Sequence, residues 1–162
     1  MGRIDSFMVF LSTIGNGGAI WVALGLGLLV KKSWRQAGIY TLLAILIAGI
    51  MQDLLKEWFA RPRPLVDPAS LLIKMPPSYA FPSGHTLISF SAAATLYCFF
   101  PRIGLAMLII ALLVGISRVY LGVHFVSDVV FGALFGMGIA YGLIKFKHWN
   151  QGRRPHIKKP SM

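Results

Sequence analysis

The sequence predicts an all-α protein: a polytopic membrane helix bundle of about five spanning helices, with room for a short N-terminal interfacial helix. Three observations predict it. Of the 162 residues 56% are hydrophobic, and the mean hydropathy is +0.70, more apolar surface than a soluble domain of this length can hide. Uncharged stretches of roughly 17–25 residues, the length that crosses a bilayer, recur along the chain. The charges fall between those stretches and are lopsided, with sixteen Lys and Arg against five acids and a net charge of +11. Such a charge could suit nucleic acid, but no basic face with interleaved aromatic residues appears, so no nucleic-acid partner is expected.

Taken in order, residues 7–30 carry no charge and are interrupted by Gly15-Asn16-Gly17-Gly18. They read as a short interfacial helix followed by a span, or as one bent span. The second span is placed near 37–55, the third at 84–100, the fourth at 103–121 after a tight Pro101-Arg102 link, and the fifth at 124–144. The one long connection, 56–83, holds Pro62, Pro64, Pro68, Pro76 and Pro77 before Pro82 and cannot be helical throughout. Residues 1–147 form one membrane-embedded domain and 148–162 a basic tail. Cys98, the single cysteine, sits inside an apolar run and reads as a small packed hydrophobe. No cleavable signal peptide is read at the N-terminus. Gly132-x3-Gly136 and Gly138-x3-Gly142 read as close helix packing within the bundle.

Five spans create two sets of ends. One holds Lys31, Lys32, Arg35, Arg102, Lys145, Lys147, Arg153, Arg154, Lys158 and Lys159, and no acid; the other holds Arg3, Lys56, Arg61, Arg63, Lys74 and Arg118 with all five acids. Lys and Arg concentrate on the cytoplasmic side. The first set, and with it the C-terminus, is therefore expected in the cytoplasm of a cell-membrane protein, and the second outside.

Three polar stretches share that outer set: "KEWFARPRP" from Lys56, "PSGH" from Pro82 and "SRVYLGVHFVSD" from Ser117. Lys56, Arg63 and Arg118 make a cationic clamp, with arginine suited to bidentate phosphate contact and lysine supplying a compact charge. Ser83 stands where it can cap the third span, Gly84 lets a ligand approach the backbone, and free N–H groups at a helix start bind anions. His124 and Asp128, four residues apart, share a face, so the carboxylate can fix one tautomer and leave the other imidazole nitrogen nucleophilic. His85 is then free for general acid and base work. The set points to phosphoryl transfer through a phosphohistidine, with three fixed cations in place of a metal. A His124–Asp128 pair could also ligate a metal, but the neighbouring cations oppose a dication, so neither metal nor cofactor is expected. Asp128 could equally be one half of a buried ion pair. Arg61, outside this set, reads as an interface anchor, and His148 and His156 as solvated tail residues.

The pattern K-x6-R-P, then P-S-G-H, then S-R-x5-H-x3-D resembles the signature of the type 2 phosphatidic acid phosphatase superfamily, matched in order and spacing over residues 56–128. The resemblance implies a membrane lipid-phosphate hydrolase. It implies that His124 is the nucleophile, Asp128 its orienting partner and His85 the acid for the leaving oxygen and later the base for water. Lys56, Arg63, Ser83, Gly84 and Arg118 are then the phosphate binders, with Ser117 in support. The leading substrate is undecaprenyl diphosphate or a related isoprenoid carrier, and the alternative is phosphatidylglycerophosphate or phosphatidate. A reading of another class is a non-enzymatic transporter or scaffold that keeps a relic of the site.

Overall fold

The computed structural model describes residues 2–65, 67 and 71–152. Pro68 of the long connection and Arg153, Arg154, His156, Lys158 and Lys159 of the tail lie outside these. The described residues form six α-helices and two 3-10 turns and no strand: α1 (Arg3–Ile14), α2 (Ala19–Val30), α3 (Arg35–Phe59), α4 (Gly84–Phe99), α5 (Pro101–Tyr120) and α6 (Val126–Gly152).

The glycine-rich break after α1 is a bend of 47° between α1 and α2. Gly17 (φ 58°) and Gly18 (φ 72°) take the left-handed backbone that this turn needs. At the far end of α1, the Tyr120 hydroxyl donates to Asp5 Oδ1 at 2.7 Å, which ties the helix to the end of α5. Residues 7–30 are therefore two helices that meet at an angle, with α1 laid over the end of α5, where Ser12 meets Arg118 and Asp5 meets Tyr120. The chain turns back at Lys31, and Arg35 Nε donates to the Leu29 carbonyl at 3.0 Å at the end of α2.

α3, α5 and α6 are each long and apolar enough to cross a bilayer, and α1 and α2 reach that length only when taken together across their bend. α4 differs. Its sixteen residues rise about 24 Å, short of the roughly 30 Å of hydrocarbon. It is also the most enclosed helix, packed against α3, α5 and α6, so lipid is not its solvent. That explains how it carries Thr86, Ser89, Ser91 and Thr95, all buried. Thr95 donates to the Ser91 carbonyl at 2.7 Å, Ser91 to the Ile88 carbonyl at 2.9 Å, and Trp21 Nε1 to Ser89 Oγ at 2.8 Å. Trp21, Leu87, Ala92 and Ala111 form the core around it. Leu43, Leu46 and Ile50 of α3 and Ile109 and Leu112 of α5 point outward as the apolar belt.

Close approach along α4 is bought with glycine. A Cβ at Gly136 would sit 2.6 Å from the Leu87 carbonyl oxygen, and one at Gly132 2.9 Å from that of Ser83. Those two glycines pack as the sequence suggests. Gly138 and Gly142 do not, since nothing lies within 4 Å of a Cβ at either; they are on a face of α6 that meets no other helix. Cys98 is also exposed rather than packed, one residue before the end of α4 where the helix leaves the core. The last helix starts at Val126, not at residue 124, and continues to Gly152, past the expected end at 144. Lys147 Nζ lies 4.2 Å from the centre of the Phe99 ring, which holds that extension against α4. Lys31 over Trp34, and Trp34 edge-on to Phe100, complete this end of the bundle. It is opposite the end that holds the three motifs.

Candidate active site

The three motifs meet. A cavity of about 480 Å³ is lined by Lys56, Arg63, Gly84, His85, Arg118 and His124, together with residues of the α1–α2 bend. Ser83 and Asp128 stand behind this wall, each fully buried.

Lys56 comes from the last turn of α3 and donates to Ser78 Oγ at 3.0 Å. The helix stops at Ala60 in a left-handed conformation (φ 42°), and the prolines that follow carry Arg63 across the mouth of the cavity. Arg63 is a strut. Nε donates to the Ser78 carbonyl and Nη1 to the Val123 carbonyl, both at 2.7 Å, and Nη2 reaches Ser78 Oγ and the Tyr79 carbonyl. Its Nη1 also lies 3.3 Å from His124 Nε2.

Gly84 opens α4. A Cβ there would fall 1.6 Å from Gln52 Oε1, so any side chain would have to displace Gln52. Ser83 occupies the N-cap position, but its side chain makes no cap hydrogen bond. Its hydroxyl instead accepts from Thr86 Oγ1 at 2.9 Å, so the capping role expected of Ser83 is not what the structure shows. The Ser83 N–H donates to the Asp128 carbonyl at 3.0 Å, which joins the second motif to the third. Ser117 is spent within α5, its hydroxyl donating to the Val114 carbonyl at 2.6 Å.

His124 lies in the link before α6, so it and Asp128 do not share a helical face as expected. They meet because Asp128, in the first turn of α6, reaches back over the start of its own helix: Oδ2 accepts the Phe125 N–H at 2.9 Å and faces His124 Nδ1 at 3.4 Å. Burial, with the charges of Arg63 and Arg118, pushes the His124 imidazole down to about 4, against the opposing pull of its hydrogen bond to Asp128. At neutral pH the ring is therefore uncharged, with Nδ1–H toward the carboxylate and the Nε2 lone pair toward Arg63 and the cavity.

The other oxygen of Asp128 holds a residue that the sequence reading set aside. Arg61 Nη1 lies 2.7 Å from Asp128 Oδ1 and 2.8 Å from Ser127 Oγ, with its guanidinium 4.2 Å from the centre of the Phe125 ring. It is the counter-ion of a fully buried carboxylate, not an interface anchor. The one signal was Asp128 itself, read as half of a buried pair without a named partner. Arg61→Gln is expected to lower stability by about 1.5–3 kcal/mol, the worth of a hydrogen bond to a charged group, and nearer the low end because Arg61 is partly exposed. Thermal unfolding in detergent measures this, and Arg61→Lys should recover part of the loss.

Two residues that line the cavity each have a buried nitrogen without a partner, His85 Nε2 and Arg118 Nε. Buried polar atoms without partners are uncommon. Here both stand beside Lys56 and Arg63, as an anion site would require. Among the described residues no three His, Cys, Asp or Glu side chains come together as a metal would need.

The PAP2 superfamily profile matches residues 37–152, which includes every motif residue. The chain belongs to the PAP2 superfamily. It is 37% identical over 144 residues to an undecaprenyl-diphosphatase of Sulfolobus acidocaldarius, an alignment that takes in 87% of this chain and 69% of the relative. It is 36% identical over 143 residues to phosphatidylglycerophosphatase B of Bacillus subtilis, with 76% of this chain and 64% of that protein covered. Its fold matches the crystal structure of a transmembrane PAP2-type phosphatidylglycerolphosphate phosphatase from Bacillus subtilis, with a TM-score of 0.76 at 27% identity over 96% of this chain and 81% of that one. The protein is thus a membrane-embedded PAP2 hydrolase of lipid phosphates.

Proposed function

We propose that this PAP2 protein removes the terminal phosphate of an isoprenoid diphosphate, undecaprenyl diphosphate or a close relative, through a phosphohistidine on His124. One observation carries the reading: His85 and Arg118 line one cavity with Lys56, Arg63 and His124, and each keeps a buried nitrogen without a partner. A phosphoryl group there takes charge from Lys56, Arg63 and Arg118 and an N–H group from the start of α4 at Gly84, while Ser83, whose own N–H is given to the Asp128 carbonyl, supports that turn from behind. His124 Nε2 attacks phosphorus, and the bond to the bridging oxygen breaks. His85 gives that oxygen a proton, so the lipid monophosphate leaves. His85 then takes a proton from water, whose oxygen attacks phosphorus and breaks the P–N bond to release inorganic phosphate. Asp128 holds the His124 ring throughout.

An apolar groove of about 760 Å³ shares Arg63, Ile73 and Lys74 with the polar cavity. A headgroup in the one and the start of a chain in the other suits a lipid that enters from the bilayer. The diphosphate is favoured by the undecaprenyl-diphosphatase relative, and the phosphatidylglycerophosphatase relative supports the alternative of a phospholipid monophosphate. Phosphate release by protein purified in detergent decides between them, across undecaprenyl diphosphate, phosphatidylglycerophosphate, phosphatidate and a soluble sugar phosphate. The highest kcat/KM is expected on the isoprenyl diphosphate. Preference for phosphatidylglycerophosphate would move the assignment to the alternative, equal turnover of the sugar phosphate would remove the lipid from it, and no turnover would leave a scaffold.

The site end of the bundle is proposed to face outward, with the basic end in the cytoplasm. In a Cys98→Ser background, Leu65→Cys on the exposed loop beside the site should react with an impermeant thiol reagent in intact cells. Gln151→Cys at the end of α6 should react only after permeabilisation. The opposite pattern inverts the topology.

A further inference from the structure

The active site has a wall that the family profile does not include. Residues of the α1–α2 bend line the cavity, and they precede the matched segment, which begins at residue 37. Ser12, near the end of α1, is 5% exposed. Its hydroxyl accepts a hydrogen bond from Arg118 Nη1, 106 residues away. Its backbone is also the hydrogen-bond partner of the His85 ring. Since His85 Nε2 has no partner, the ring nitrogen engaged is Nδ1, and its partner is the Ser12 carbonyl. Gly15, just beyond, lies flat against the same ring: a Cβ there would come within 3.1 Å of His85 Cδ2 and of Val114 Cγ1.

We propose that Ser12 is a positioning residue for phosphoryl transfer, its carbonyl setting the His85 tautomer and its hydroxyl setting the Arg118 fork, with Gly15 holding the imidazole in place. The inference rests on the reading of His85 as general acid and base. With Nδ1–H given to a carbonyl, the proton that moves is carried on Nε2, the nitrogen that faces the cavity. With Nη1 given to Ser12, the Arg118 guanidinium is fixed so that its free Nε is turned to the anion. The two histidines are thereby given different partners. His124 faces a carboxylate, which suits a nucleophile that becomes cationic on phosphorylation. His85 faces a neutral carbonyl, which steadies the ring without holding its proton as firmly as a carboxylate would, and so suits a group that must give the proton up.

Two variants separate the arms. Gly15→Ala fits the backbone (φ −79°) but pushes on His85. It should lower kcat about tenfold on a lipid monophosphate such as phosphatidate, whose alkoxide leaving group needs a proton, and less than about threefold on an aryl phosphate, whose phenolate leaves without one. Ser12→Ala should raise KM about fivefold or more on both substrates, and Ser12→Thr, which keeps the hydroxyl, should restore it. Either half failing in a folded variant overturns the proposal. Ring 15N shifts of histidine-labelled wild-type protein, assigned with His85→Ala, give a measurement independent of how the variants fold: neutral His85 should be the Nδ1–H tautomer, and an Nε2–H tautomer overturns the proposal. His85→Ala also serves as the control for the parent reading. If it shows no dependence on the leaving group, the general-acid assignment fails. If it shows the dependence and Gly15→Ala does not, the positioning role alone fails.

Discussion

His124→Ala is expected to lower kcat by about a thousandfold or more, because the variant has no atom to accept the phosphoryl group and no alternative nucleophile at the same place. Substrate binding should change much less, since Lys56, Arg63 and Arg118 remain. In wild-type protein, acid-labile phosphate trapped by rapid quench should appear on a histidine and vanish in the variant. Vanadate, which adopts the trigonal-bipyramidal geometry of the transferring group, should inhibit, whereas chelators should not. A His124→Ala enzyme with a substantial fraction of wild-type turnover would overturn the covalent mechanism. EDTA inactivation reversed by zinc would replace it with a metal-dependent one.

Arg63→Lys is expected to have the second largest effect, about tenfold or more in kcat/KM, despite keeping the charge. The contacts of Arg63 fan out from one planar fork to the Ser78 and Val123 carbonyls and to His124 Nε2. A lysine ammonium cannot span them. The one substitution cuts the tie between the loop carrying Ser78 and the link carrying His124, and with it the brace that fixes a positive charge beside His124 Nε2. Arg118→Lys should match it in direction, since the buried guanidinium already gives Nη1 to Ser12. Steady-state kinetics on the preferred lipid, with unfolding curves as a folding control, test both. Wild-type kinetics in either would make that arginine an anchor in the bilayer surface.

How far the sequence carries can be judged residue by residue. Lys56, Arg63, Gly84, His85, Arg118 and His124 were legible because each stands at the end of an apolar run, and helices of bilayer length bring alternate ends to one level. Helix lengths therefore did the work that contacts usually do. Their company was less legible. Ser12 reaches Arg118 only because the Gly17–Gly18 turn swings α1 over the end of α5, and no periodicity encodes that angle. Arg61 is two residues from Arg63 in the same "RPRP", and spacing cannot say which of the two guanidiniums turns inward to Asp128. Ser83 has the sequence of a cap, yet Thr86 takes its hydroxyl, a choice settled by packing inside α4. The glycines of α6 look alike on paper, but only Gly132 and Gly136 face a neighbour.

That last difference gives the molecule a ruler. His85 rides at the start of α4, with His124 just before α6 and Asp128 in its first turn, so the gap between the proposed acid and the proposed nucleophile follows how near those two helices lie. At Gly136, about 12 Å along the helix from Asp128, the separation is the thickness of bare backbone, with no methyl group between α6 and the Leu87 carbonyl. A single added carbon there, well away from the phosphate and touching no reacting atom, acts on the spacing itself, like a shim placed at one end of a hinge. Selection for activity should consequently leave two kinds of surface on α6. Substitutions should accumulate freely along the face of Gly138 and Gly142. The Gly132–Gly136 edge should admit almost none, and variants that alter it should change the relative rates of substrates with good and poor leaving groups before they lose the fold.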